Sequence, residues 1–137
     1  MFFNKSEKVN NETNLVKIAA LLIHTAKIDE NYSKEEEKII KKTLIALGAN
    51  QLKLNSLISK AQQLEENSNQ ILEFTKEIKN LQDLDKIKII KSLWKIIYSN
   101  KDADIYETNL MRRLAGLLYI DSKVMGDIKE EIKKENL

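Results

Sequence analysis

The sequence contains no cysteine and no proline, and its only glycines are Gly48, Gly116 and Gly126. The absence of cysteine excludes disulfides, thiolate metal sites and cysteine nucleophiles. Helix interiors exclude glycine and proline whereas β-turns depend on them, so their scarcity favours an all-helical chain. There is no apolar run of transmembrane length and no signal-peptide pattern. We therefore expect a cytoplasmic protein with no direct membrane insertion.

The 137 residues suit a single domain that is large enough to bury a substantial core. We place a polar N-terminal lead-in at residues 1–14, the helical domain at 15–132 and a charged tail at 133–137. The 23 basic and 21 acidic residues are scattered along the whole chain and leave a net charge of +2. Because no basic face with interleaved aromatic residues is present, we expect no binding to nucleic acid.

Apolar residues recur with helical spacing in about seven segments of the chain. The predicted helices cover approximately residues 15–28, 34–47, 51–64, 70–80, 86–98, 105–118 and 122–132. Gly48 is placed to end the second helix in the left-handed conformation. Asn50, Asp83 and either Asp121 or Ser122 are placed to cap the third, fifth and last helices. The fifth helix is apolar on more than one face, so it should lie at the centre of a bundle.

The segment 93–115 repeats the layout of the segment 22–44: an apolar helix, an acidic loop and a second helix that opens on a carboxylate. One constant offset of 71 relates the copies, because 100−29, 104−33 and 107−36 are all 71; it pairs Asp29 with Asn100, Ser33 with Asp104 and Glu36 with Glu107. A repeated unit is one that buries its apolar face against its copy. The sequence therefore predicts one all-α domain built from two similar halves.

Oxygen-bearing side chains recur at alternate positions in both loops, and a glutamate follows at the eighth position. They are Asp29, Asn31, Ser33 and Glu36 in the first loop, and Asn100, Asp102, Asp104 and Glu107 in the second. Alternate oxygen donors in a tight loop are how a chain surrounds calcium or magnesium, so one interpretation is a weakly bound divalent cation. The loops are not EF-hands, because Lys34 and Ile105 occupy the position of the turn glycine, and Ile40 and Met111 that of the final glutamate.

The same residues also fit a purely structural interpretation. Ser33-x-x-Glu36 and Asp104-x-x-Glu107 both match the capping box, in which two side chains satisfy the first amides of a helix. Capping accounts for four of the eight oxygen-bearing residues. The other four, Asp29, Asn31, Asn100 and Asp102, are what a cation site needs in addition. The sequence leaves both interpretations open.

Signals for enzymatic chemistry are absent. There is no Ser/His/Asp arrangement, glycine-rich phosphate loop or paired-cysteine motif, and the glutamates at 35–37 are explained by the helix dipole, so we expect no enzyme. His24, the only histidine, lacks further nitrogen or sulfur ligands and should be exposed or hydrogen-bonded. Trp94 has helical spacing and should lie in the core. Arg112 and Arg113 either form a fork for an anionic partner or belong to a solvated, ion-paired face.

The second copy resembles the TerB-like family, the small helical domains of bacterial tellurite-resistance proteins that also occur at the N-terminus of a membrane-anchored J-domain co-chaperone. The residues that carry the resemblance are Leu93-Trp94, Tyr106-Glu107, Arg112-Arg113 and Leu117-Leu118, together with Phe74-Thr75 in the middle helix. The resemblance spans about residues 15–128. The Ala-Asp-Gly of the family signature is replaced by 28–30, Ile-Asp-Glu, and by 99–101, Ser-Asn-Lys, so that Asp29, Glu36 and Glu107 match the acidic positions of the family.

This resemblance implies a compact bundle of about seven helices in two halves. It also implies a non-enzymatic binding or scaffold module with protein partners, some of them membrane-associated, in a tellurite-resistance, stress or envelope-associated complex. The family is associated with divalent metal on an acidic surface. The alternative function is therefore a cation sensor or sequestering protein that uses the two acidic loops.

Overall fold

The computed structural model describes residues 12–28, 32–69, 71–99 and 105–135. The α-helices in these ranges are α1 (Glu12–Ala26), α2 (Lys34–Ala46), α3 (Leu54–Asn67), α4 (Leu72–Thr75), α5 (Asp83–Tyr98), α6 (Ile105–Leu117) and α7 (Ser122–Glu135). A 3-10 turn at Gln51–Lys53 leads into α3, and a second one at Ile78–Asn80 follows α4. The described ranges contain no β-strand, which confirms the predicted all-α class.

The helix boundaries reproduce the sequence repeat. Both ends of α6 lie 71 residues after those of α2, since 105−34 and 117−46 are both 71. The start of α5 lies 71 residues after that of α1 (83−12), and α7 starts 71 residues after the 3-10 turn that precedes α3 (122−51). The two predicted halves are therefore α1–α3 and α5–α7, and α4 with its 3-10 turn connects them.

The helix ends repeat as well. Gly48 follows α2 with φ 107°, and the N–H of Ala49 donates to the carbonyl of Leu44 at 2.9 Å. This arrangement satisfies the last carbonyls of the helix, and it confirms the predicted left-handed stop at Gly48. At the end of α6 the equivalent position holds Tyr119 (119−48 is 71), which is also left-handed with φ 57°.

The core lies between the two central helices, α1 and α5, which pack against each other. α1 also contacts α2, α3 and α4, while α5 also contacts α2 and α7. Trp94 on α5 is 2% exposed and stacks on Tyr98, with ring centroids 5.9 Å apart. The predictions of a central fifth helix and of a core position for Trp94 are confirmed.

The connection between the halves differs from the prediction. The expected continuous helix over 70–80 is wrong: α4 has four residues, and a separate 3-10 turn follows at Ile78–Asn80. Phe74 and Ile78, each 1% exposed, insert into the core from this connection, and Leu81 is 5% exposed. Packing of these apolar side chains against the core outweighs the helical preference of the segment.

Two of the predicted caps are formed and one is not. The side chain of Asn50 accepts from the amide of Leu52 at 2.9 Å and so caps the 3-10 turn that leads into α3, not α3 itself. The side chain of Asp121 accepts from the amide of Lys123 at the same distance. Asp83 is not a cap, because α5 begins at this residue and Gln82 precedes it without a side-chain capping bond. The carboxylate of Asp83 instead lies in the first turn, where the helix dipole favours a negative charge.

Candidate functional site

The end of the first acidic loop is a capping box. The amide of Glu36 donates to Oγ of Ser33 at 3.2 Å, and the amide of Ser33 donates to Oε1 of Glu36 at 2.8 Å. Ser33 has the extended backbone of an N-cap residue, with φ −92° and ψ 167°. The capping interpretation of Ser33-x-x-Glu36 is confirmed.

Glu36 is deeply buried, with 1% of its surface exposed. Burial of a carboxylate is unfavourable unless hydrogen bonds replace its water. The amide and the hydroxyl of Ser33 both donate to Oε1 of Glu36, the hydroxyl at 3.1 Å, and the N-terminus of α2 adds a favourable dipole. These interactions fix the chain where the loop joins the helix.

Glu107 occupies the same place in the second half. It is the third residue of α6, as Glu36 is the third residue of α2, and it is 4% exposed. Its predicted capping partner, Asp104, lies outside the described residues. The second capping box therefore stays a prediction, although the burial of Glu107 matches that of Glu36.

Ser33, Glu36 and Glu107 are the members of the predicted cation set that the structure describes. The other five, Asp29, Asn31, Asn100, Asp102 and Asp104, lie outside the described residues. Within the ranges that the structure describes, no group of three or more His, Cys, Asp or Glu residues is placed to hold a metal ion. The described residues therefore neither show the predicted cation site nor exclude it.

Tyr32 is a feature of the first loop that the pattern of oxygen-bearing residues does not single out. Its hydroxyl is buried and has no hydrogen-bond partner among the described residues. Burial, together with the negative charges of Glu37 and Glu36, raises the pKa of Tyr32 to about 12.

His24 lies in a charged network between α1 and α3. Its Nδ1 is 3.1 Å from Oε2 of Glu65, and Nζ of Lys27 is 2.8 Å from Oε1 of the same carboxylate. Burial of Glu65 opposes its ionisation, but the hydrogen bonds from Lys27 and His24 outweigh that effect and lower the pKa of the carboxyl. The predicted hydrogen-bonded role of His24 is confirmed.

The paired arginines are on the surface. Arg112 and Arg113 are both exposed on α6, and neither forms an ion pair with a carboxylate in the described ranges. The two arginines therefore belong to a solvated face.

In the ranges that the structure describes, no helix combines the length and the apolar character that crossing a bilayer requires.

Comparison with known proteins identifies one family. Residues 15–130 match the family model described as tellurite resistance protein TerB. The match covers 116 of the 137 residues (130−15+1), and it includes both acidic loops. Searches of curated proteins and of solved structures found no match.

Proposed function

The chain belongs to the tellurite resistance protein TerB family, and on that basis we propose that it is a non-enzymatic binding module that recognises a protein partner through its two acidic interhelical loops. The TerB domain is not a known enzymatic family. The partner is a protein of a tellurite-resistance, stress or envelope-associated complex.

The observation that carries this proposal is the anchoring of the first loop by the capping box. A binding loop is effective when a rigid scaffold positions it, and the Ser33–Glu36 box fixes the loop at the start of α2. The repeat supplies a second helix start of the same kind, with the buried Glu107 at the same position of α6. Two acidic segments on one small domain, the first of them anchored by its capping box, suit electrostatic recognition of a partner.

Quantitative mass spectrometry of proteins that co-purify with the chain from its own cells tests this proposal. The loop variant is Asp29→Asn/Asp102→Asn/Asp104→Asn, and the matched control removes three carboxylates elsewhere, Glu66→Gln/Glu73→Gln/Glu130→Gln, at exposed positions. We expect a partner that the wild type and the control enrich and that the loop variant loses by about tenfold or more. Equal recovery of every partner with the loop variant would exclude the loops as the contact surface.

A second candidate function is binding of a divalent cation, and it is supported by the alternate oxygen-bearing residues of the two loops, with buried carboxylates at the matching positions Glu36 and Glu107. A cation that binds only the folded chain, at a hundred times its Kd, stabilises the fold by about 2.7 kcal/mol. Thermal unfolding in EDTA and in excess calcium, magnesium or zinc measures this effect.

The variants separate cation binding from capping. Asp29→Asn/Asp102→Asn removes two expected ligands that play no part in either capping box. Glu36→Gln removes the charge of a third expected ligand, while glutamine can still form the capping box. If cation binding is the function, one metal raises the wild-type midpoint and does not raise that of Asp29→Asn/Asp102→Asn. An identical midpoint in EDTA and in every metal counts against this second candidate.

A further inference from the structure

The turn that ends α6 holds an aromatic residue in a strained backbone conformation. The amide of Ile120 donates to the carbonyl of Ala115 at 2.9 Å, and the amide of Tyr119 donates to that of Gly116 at 3.3 Å. These bonds form the Schellman motif, which requires a left-handed residue at the position of Tyr119. A bulky residue with φ 57° is an outlier, because its Cβ crowds the following carbonyl.

The side chain of Tyr119 does not offset this strain by burial. It is 72% exposed, whereas a core aromatic such as Phe74 is 1% exposed. The first half ends its equivalent helix with Gly48, which adopts the left-handed conformation without strain. An exposed aromatic residue at a position that suits glycine points to a role outside folding.

Beside Tyr119, a lysine side chain is sequestered. Lys86 of α5 is 7% exposed, and its Nζ donates to the carbonyl of Leu118 at 3.0 Å. This contact satisfies the negative end of the α6 dipole. The ammonium group of Lys86 is therefore held at the end of α6, at the base of the surface that carries Asp83 and Asp121.

A groove of about 250 Å³ lies between the start of α5 and the α6–α7 turn. Besides Lys86, it is lined by Asp83, Ile87, Tyr119, Ile120, Asp121 and Val124. Ile87, Ile120 and Val124 are incompletely buried, so they leave apolar surface open to a ligand, and both aspartates are exposed. Lys123 of α7 is 3.0 Å from Asp127 and is also attracted by Asp121, so it offsets part of the negative charge at this end of the groove.

An intramolecular contact shows which group the exposed ring accepts. Nζ of Lys79 lies 5.7 Å from the centroid of the Tyr119 ring, within the range of a cation–π interaction. The ring is 72% exposed and lines the same groove as the two exposed aspartates. The groove thus combines an aromatic ring, apolar walls and exposed negative charge.

From this combination we propose that the groove formed by Asp83, Ile87, Tyr119, Ile120, Asp121 and Val124 binds a basic, partly apolar segment of a partner protein. An arginine or lysine of the segment stacks on Tyr119 and pairs with the aspartates, and apolar side chains of the segment cover Ile87, Ile120 and Val124. This surface shares no residue with the two acidic loops, so either proposal can fail without the other.

A defined pair of peptides tests the groove. The probe is an acetylated, amidated pentapeptide of alternating leucine and arginine, and its control carries glutamate in place of arginine. Each is titrated into the full-length ¹⁵N-labelled chain and followed by NMR. We expect the arginine peptide to shift the amides of residues 83–87 and 119–124, and the glutamate peptide to leave them unchanged.

Matched variants connect binding to the ring and to the charges. Tyr119→Gly should weaken binding of the arginine peptide about tenfold without lowering the unfolding midpoint. Asp83→Asn/Asp121→Asn should weaken it about fivefold; Asn50 shows that asparagine keeps the turn that Asp121 makes. Leu52→Ser, which changes a residue that is 94% exposed in the other half, should have no effect.

Three results would overturn the proposal. The first is equal binding of the arginine and glutamate peptides, or binding of neither. The second is unchanged binding by Tyr119→Gly. The third is a clear fall in the unfolding midpoint of Tyr119→Gly, because Tyr119 would then be retained for folding rather than for a ligand.

Discussion

Tyr119 occupies the same position at the end of α6 that Gly48 occupies at the end of α2, and both residues are left-handed. The two residues lie at equivalent points of a Schellman motif, and only one of them is glycine. The repeat therefore supplies an internal standard for the effect of a side chain at this position.

Replacing Tyr119 by glycine should stabilise the fold. The substitution removes the clash of a left-handed Cβ, and we expect the free energy of unfolding to rise by about 1 kcal/mol. Thermal unfolding followed by circular dichroism should show an increase of about 3 °C in the midpoint. The reverse change, Gly48→Ala, should lower the midpoint by a similar amount, and a neutral result for both would show that these turns carry no strain.

Removing the cap of α2 should destabilise the fold. Ser33→Ala leaves the amide of Glu36 without its acceptor, and we expect a loss of about 1 kcal/mol. Ser33→Thr is the matched control, because threonine keeps a hydroxyl that can accept from the amide of Glu36 and donate to its Oε1. Denaturant unfolding compares the two variants, and equal losses would mean that Oγ of Ser33 does not act as a cap.

Truncating the polar end of Lys86 should also destabilise the fold. Lys86→Met keeps most of the side-chain volume but leaves the carbonyl of Leu118 without its donor, for an expected loss of about 1–3 kcal/mol. The control is Lys88→Met on the exposed face of the same helix, which should change stability by no more than about 0.5 kcal/mol. Indistinguishable denaturation curves for the two variants would contradict this role of Lys86.

The carboxylate of Glu65 should make stability depend on acid pH. Its pKa is lowered in the folded chain from the usual value of 4.5, so the stabilisation is present above that value and is lost as pH falls through the lower, folded pKa. Unfolding midpoints of wild type and Glu65→Gln should therefore differ most above pH 4.5 and converge as the solution is acidified further. A difference that stays constant down to acid pH would show that the ionised form of Glu65 is not favoured by folding.

Local signals predicted most of the fold. The periodic apolar residues predicted both ends of α2 and α6 within one residue. Asn50 and Asp121 accept short-range hydrogen bonds from backbone amides at helix starts, and Gly48 ends α2, as their positions in the sequence predict. The prediction was wrong over 70–80, where the burial of Phe74 and Ile78 breaks the helix. No residue within that segment indicates where the helix is interrupted, because the part of the core that receives these side chains is formed by other helices.

The candidate site was only partly predictable. The capping box of Ser33 and Glu36 is visible in the sequence because its partners are three residues apart. The buried hydroxyl of Tyr32 was not, since burial is a property of the packed fold. The exposed left-handed Tyr119 had one available signal, its alignment with Gly48 at the offset of 71.

The sequence by itself determined the all-α class and the local helix stops, because each depends on residues within a few turns of one another. It also determined the two similar halves, because the same pattern recurs at one constant offset of 71. Only the tertiary structure decided the contacts of Lys86 with Leu118, 32 residues away, and of Glu65 with Lys27 and His24, 38 and 41 residues away. Lysine, glutamate and histidine carry no local sign of being partly buried. Their environment exists only once the helices have packed, and that packing depends on the whole core at once.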